Sequence, residues 1–191
     1  AKHDSTFVPS VDGYSHAIEL QHQINRFNEG YFVDGTKQRQ EKQNKFTYGV
    51  AGYPEKHEEA PNLDSDIYWL KRKIDNGADY VVTQMFFDNE KYFDFVKRCR
   101  AAGIDVPIIP GIKPITSLRQ LTLIPKTFHL DIPEALANEL RKCQTDEEAR
   151  IVGVEWCSQQ ALDLMAKGVP SIHFYSINGV KSVCEVAKRV Y

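Results

Sequence analysis

No two cysteines of this 191-residue chain stand in a C-x-x-C pair; Cys99, Cys143, Cys157 and Cys184 are widely spaced. That spacing argues against a cysteine zinc site or a redox couple and for reduced thiols. No apolar run approaches the roughly 18 residues that a spanning helix needs. The opening AKHDSTFVPS lacks the apolar core of a secretion signal. Charge of one sign is also missing: a formal net charge of -2 gives no basic field for nucleic acid and no polybasic membrane patch. Neither G-x-G-x-x-G nor G-x-x-x-x-G-K-[ST] is present, so the glycine-rich routes to a nucleotide are absent. No Ser/His/Asp or Cys/His motif supports nucleophilic catalysis. The expectation is a cytoplasmic protein without nucleic-acid or membrane partners.

What is present is a repeated grammar. In NGADYVVTQMFF, AAGIDVPIIPG and AKGVPSIHFY a helical pattern closes on Gly77, Gly103 or Gly168, and a Val- and Ile-rich run begins two residues later. Glycine there suits a left-handed helix C-cap, and near-continuous apolar runs suit parallel strands covered on both faces. With Phe46–Ala51 the count is four strands. Helices are expected behind an N-cap at Asp64 or Ser65, after Asp88 or Asn89, from Pro133 to Cys143, from Asp146 to Lys167, and from Asn178 to Tyr191. An opening helix carries Tyr14, Ala17, Ile18, Ile24 and Phe27 on one side. The polar stretch 34–45 reads as a solvated loop. With 42% apolar residues the chain holds one domain, residues 1–191. The fold class is α/β with parallel (β/α) units. A full barrel takes about 250 residues and eight strands, so four strands indicate half of an eightfold (TIM) barrel.

In such folds ligands meet the loops after the carboxyl ends of the strands. The richest is GYPEKHEEAP, where an apolar strand breaks off into residues that bury badly. In the helix that follows, Asp66, Trp69 and Lys73 share a stripe at i, i+3 and i+7, with Arg72 within reach. Lys73, Arg72 and His57 suit a pyrophosphate, Asp66 suits a ribose hydroxyl or an adenine amine, and Trp69 suits stacking; Tyr53 joins them at the same strand end. The bland alternative is a solvated face with an ion pair. Glu55, Glu58 and Glu59 read as solvated loop residues, too crowded around His57 to converge on a metal. Gln84 offers a donor and an acceptor to a heterocycle, or bonds its own backbone. Phe86, Phe87, Tyr92 and Phe93 read as core, and His173 as a satisfied core histidine on the side of Tyr175.

GVAGYPEKHEEAP, DIYWLKRKIDNGADYVVTQMFFD, AGIDVPIIPGIKPI and HFYSING together resemble the methylenetetrahydrofolate reductase family. The likeness runs over nearly the whole chain and is strongest from Tyr48 to Pro114. It implies a barrel that carries FAD and reduces 5,10-methylenetetrahydrofolate to 5-methyltetrahydrofolate with NADH or NADPH, for methionine synthesis. Position by position it implies FAD contacts at Tyr53, His57, Ala60, Asp66, Trp69, Arg72, Lys73, Tyr14 and Ser15. It implies folate and nicotinamide contacts at Gln84, folate at Gln120, and Tyr175 in the same pocket. Family members often carry an arginine where Gly179 stands, which leaves the folate's glutamyl carboxylate to Lys181 or to nothing in this chain. The family's catalytic acid and R-G-D motif are expected upstream of Ala1, so no catalytic residue is assigned here and the isolated chain is expected to bind FAD weakly. Alternatives are a structural half that self-associates as a homo-oligomer, or another pterin or metal barrel enzyme.

Overall fold

The computed structural model describes residues 8–39, 45–176 and 180–191. Among them the order is α1 (Ala17–Asn28), β1 (Gly49–Gly52), α2 (Leu63–Asp75), β2 (Tyr80–Thr83), α3 (Asn89–Ala101), β3 (Ile108–Ile109), β4 (Gly111–Ile112), α4 (Gln120–Phe128), α5 (Glu134–Lys142), α6 (Asp146–Ala166), β5 (His173–Phe174) and α7 (Val180–Val190). Every strand pairing is parallel. The architecture is α/β and consistent with part of a TIM-barrel-like fold.

The glycine grammar holds. Gly77, Gly103 and Gly168 take φ of +103°, +76° and +77°, the left-handed region that only glycine enters without a Cβ penalty. The start of α2 differs from expectation: Asn62 is the N-cap, its side chain accepting from the Ser65 N–H, while Asp64 falls in the first turn. There it faces the positive end of the helix dipole. α1 starts at Ala17, so Tyr14 lies outside it. This helix docks by amides rather than by a deep apolar stripe. Gln21 Nε2 donates to Lys73 O at 2.9 Å and Asn25 Nδ2 to Asn76 O at 2.7 Å, satisfying carbonyls at the end of α2. The expected start of the last helix at Asn178 lies outside the described residues, as does part of the 34–45 loop.

Four expected strands become five segments. The first begins at Gly49, and Phe46 stays 56% exposed. The passage Ile108–Ile112 divides at Pro110: β3 pairs with β2, and β4 pairs with β5. Proline has no N–H to donate to a ladder, so it is a natural place for the exchange of partners. Thr83 spans the gap, its Oγ1 accepting from the Gly111 N–H at 2.9 Å.

The two faces of the sheet differ. Val50, Val81 and Ile108 are buried against Ile67 and Leu70 of α2, Phe95 and Cys99 of α3, and Val154 and Leu164 of α6. Ala51, Tyr80, Val82, Ile109 and His173, on the opposite face, are exposed or half-buried. Phe86, Phe87 and Tyr92 are core as expected, and Phe93 packs against it. His173 is not core: it is exposed, edge-on to Tyr175 with ring centroids 4.6 Å apart, because its face carries no helix.

α6 is the longest brace. Its Gly153 lies so close to the loop after β4 that a Cβ would sit 1.9 Å from Ile115 O. One turn further on, Trp156 Nε1 donates to Phe87 O and Gln160 Nε2 to Phe86 O, each at 3.0 Å. The segment after β2 is thereby pinned from its backbone. A second core under α4, α5 and the start of α6 gathers Met85, Phe87, Ile115, Ile124, Leu136 and Leu140. α4 was not expected. Leu121, Ile124 and Phe128 turn its apolar side to the second core, but Pro125 inside the pattern reads as a breaker.

Candidate functional site

The segment after β1 turns sharply at Lys56, whose φ is +77°. Its ammonium donates to Ala60 O at 3.0 Å, closing the loop on itself. That closure brings His57 beside Tyr53, edge-on with centroids 4.7 Å apart, and sets the His57 N–H 2.9 Å from Asp66 Oδ2. His57 Nδ1 accepts from the Glu59 N–H at 3.2 Å, the arrangement of a ring tautomer whose proton sits on Nε2. Asp66 is only 8% exposed, and burial pushes its carboxyl up from the ordinary value despite the bond from His57. Burial also lowers the Lys73 ammonium, against the opposing pull of Asp66. Lys73 donates to Ala51 O at 3.0 Å, so its charge stands at the β1 end rather than in bulk solvent. Burial raises the Tyr53 hydroxyl, helped by the Asp66 charge. Tyr53, His57, Asp66 and Lys73 therefore form one cluster at the carboxyl end of β1.

Gln84 enters from the end of β2. Its backbone N–H bonds Gly52 O at 2.8 Å, and its Oε1 accepts from the Met85 N–H at 2.9 Å. The backbone-bonded alternative thus accounts for the oxygen and leaves Nε2 as a donor. A small cleft runs between Tyr53, Glu55, Gln84, Met85, Phe128 and His129. Tyr175 follows β5; its hydroxyl donates to Thr83 O at 2.9 Å, and its ring covers the place where a side chain on Gly111 would sit. It therefore presents a ring rather than a hydroxyl.

The other expected positions lie further out. Ala60 ends the closed loop. Trp69 and Arg72 stand on the solvent side of α2, with Trp69 56% exposed. Gln120 opens α4, exchanging two hydrogen bonds with Thr116. The Ser15 N–H bonds Glu19 at the head of α1, and Tyr14 is 41% exposed next to it. Lys181 sits at the start of α7 within electrostatic reach of Glu147 and Glu185. Gly179 lies outside the described residues.

One reading is overturned. Glu55 is no solvated loop residue: its side chain is 10% exposed and takes Lys91 Nζ at 2.7 Å and the Asp131 N–H at 3.0 Å. Burial still dominates and raises its carboxyl. Glu58 pairs with His129 Nε2 at 2.6 Å. These two clasps tie the β1 loop to the end of α4, and nothing local in the sequence announces partners 36 to 76 positions away. Among the described residues no group of three or more His, Cys, Asp or Glu is placed to hold a metal, and no helix is long and apolar enough to cross a membrane.

The model of the family "Methylenetetrahydrofolate reductase" matches residues 7–191. The chain belongs to that family. It is 40% identical over 154 residues to the probable methylenetetrahydrofolate reductase (NADPH) of Caenorhabditis elegans, covering 80% of this chain and 23% of that protein. To 5,10-methylenetetrahydrofolate reductase of Escherichia coli it is 40% identical over 134 residues, covering 70% of this chain and 45% of the relative. The chain thus spans less than half the length of these curated relatives. Among solved structures, an uncharacterized protein from Clostridium thermocellum that binds two copies of 5-methyl-5,6,7,8-tetrahydrofolic acid matches with a TM-score of 0.51 and 23% identity, over 76% of this chain and 53% of that one. At that identity the match establishes a shared fold and nothing finer.

Proposed function

We propose that this chain is the flavin- and folate-facing half of an eightfold barrel that reduces 5,10-methylenetetrahydrofolate to 5-methyltetrahydrofolate. The observation that carries the reading is the convergence of Tyr53, His57, Asp66 and Lys73 at one strand end in a chain of this family. The donor set fits a dinucleotide: a ring N–H and an ammonium for the pyrophosphate, and a buried carboxylate for a hydroxyl or an amine. FAD, when bound, accepts hydride from NADH or NADPH and passes it to the folate. Gln84 Nε2 orients each heterocycle in turn, and the Tyr175 ring walls the pocket. Gln120 and Lys181 take the outer parts of the folate, while Ala60, Trp69, Arg72, Tyr14 and Ser15 complete the cofactor contacts. The 40% identity to relatives named methylenetetrahydrofolate reductase supports a folate as substrate. The family's catalytic acid comes from residues other than these, and the product feeds methionine synthesis in the cytoplasm. β1 and β5 have one ladder partner each among the described residues, and these edges with the uncovered sheet face are where further chains associate, including other copies.

The test is a titration of the purified chain with FAD, read by flavin fluorescence, alongside NADH oxidation. Weak, saturable binding that desalting removes, with negligible oxidation, is the expected result. Asp66→Asn combined with Lys73→Met should weaken binding at least tenfold. An affinity that the double variant leaves unchanged overturns the assignment of the cluster.

A further inference from the structure

We propose that Glu55 is a specificity-determining residue: its Oε1 accepts the N–H of an amide or lactam edge on the substrate heterocycle, beside a carbonyl held by Gln84 Nε2, and the corresponding acid is turned away. The inference rests on the reading of Gln84 above and adds a selectivity that Gln84 alone does not supply. The two carboxylate oxygens of Glu55 are in different situations. Oε2 takes the Lys91 ammonium at 2.7 Å and the Asp131 N–H at 3.0 Å. Oε1 is buried and has no hydrogen-bond partner among the described residues. The side chain is only 10% exposed, so bulk water does not make up the difference. Other buried atoms without partners among the described residues belong to the neutral amides of Gln21, Asn76, Asn89 and Gln160. A charged acceptor is costlier to leave unpaired than those.

Position and chemistry define the ligand. Glu55 and Gln84 both line the small cleft, with Met85 and Phe128 as apolar wall, whereas neither Lys91 nor Asp131 lines it. Oε2 therefore faces out of the cleft, and Oε1 is the oxygen on its side. Gln84 Oε1 is committed to the Met85 N–H, which fixes the amide with Nε2 as its donor. By itself that donor takes the oxygen of an acid as readily as the oxygen of an amide. A carboxylate beside it changes the outcome, because it accepts from an N–H and repels a second carboxylate. The matching edge is an N–H next to a C=O, found in the carboxamide of a nicotinamide and in the lactam of a pterin. The cleft is small and receives such an edge rather than a whole ring.

The experiment pairs each amide with an analogue that lacks the N–H: nicotinamide with nicotinate, and 6-methylpterin with 3,6-dimethylpterin. Binding to the purified chain is read at slightly alkaline pH from the NMR shifts of the Gln84 side-chain amide and the Met85 N–H. At least one amide should bind saturably, about tenfold or more tightly than its analogue, and the arm that responds identifies the source of the edge. In Glu55→Gln the Lys91 and Asp131 donors hold the new amide's oxygen and turn its NH₂ to the cleft, so the preference should collapse. A thermal melt shows that this variant is folded. Glu55→Asp, which keeps the charge but withdraws the oxygen by one methylene, serves the same comparison where the glutamine variant does not fold. An amide and its analogue that bind the parent alike, a preference that survives in the folded variant, or no binding of either amide overturns the inference. FAD titration of the same samples separates the two readings. FAD binding without the amide preference rejects the role of Glu55 alone, and the preference in a chain that fails to bind FAD upholds Glu55 and rejects the flavin reading.

Discussion

Replacing Gly153 with alanine sets two effects of known sign against each other. Alanine is the better helix former by about 1 kcal/mol, so on an isolated helix the change would stabilise. In α6 the new methyl would lie 1.9 Å from Ile115 O, 2.7 Å from its C and 2.8 Å from its N. All three are backbone atoms, so no rotamer change relieves the overlap, and α6 must back away by roughly 1 Å or more. Overpacking of this kind typically costs 1–3 kcal/mol and sometimes more. The displaced helix also stretches the 3.0 Å bonds from Trp156 and Gln160 to the Phe86–Phe87 backbone, each worth about 1 kcal/mol. The net expectation is a loss of about 2 kcal/mol or more, or roughly 4–8 °C in melting temperature for a chain of this size. Urea and thermal melts followed by circular dichroism measure it. A variant that melts with the parent or above it refutes the reasoning, since helix propensity would then have outweighed the close approach.

Two further outcomes concern the segments around the site. Burial raises the Glu55 carboxyl above its ordinary 4.5, so its contribution to stability is present at low pH and is lost as pH rises through the shifted value. Glu55→Gln removes that dependence: in denaturant melts from pH 4.5 to neutrality, the difference should move steadily in favour of the variant, and a parent that gains on it with rising pH contradicts the assignment. Trp156→Phe leaves Phe87 O without its donor. It should cost about 1–3 kcal/mol and speed amide hydrogen exchange from Gln84 to Asp88, whereas unchanged exchange there would show that α6 does not brace the segment.

Much of this was legible in the sequence, for physical reasons. The three C-cap glycines mark helix ends because left-handed backbone is nearly exclusive to that residue, and β2 begins and ends where its apolar run does. The His57–Asp66 contact was readable because a strand end, a short loop and the next helix turn are adjacent in the chain. What could not be read depended on distant partners. Glu55 looked solvated because Lys91 and Asp131 come from α3 and the segment after α4. His173 looked like core because alternation within a strand does not tell which face a helix will cover. α4 was hidden by Pro125, and the N-cap of α2 shifted by two or three residues because asparagine, aspartate and serine compete on nearly equal terms.

The exchange of strand partners at Pro110 has a mechanical side. Where a ladder runs unbroken, curvature is shared among many bonds; between β2 and β4, which share no ladder, the Thr83 hydroxyl bonds the Gly111 amide. Bending of the wall would concentrate along that seam, with the Tyr175 ring lying across it and Gln84 at its lip. A small rotation of one plate against the other would widen or narrow the mouth of the pocket without breaking any ladder bond.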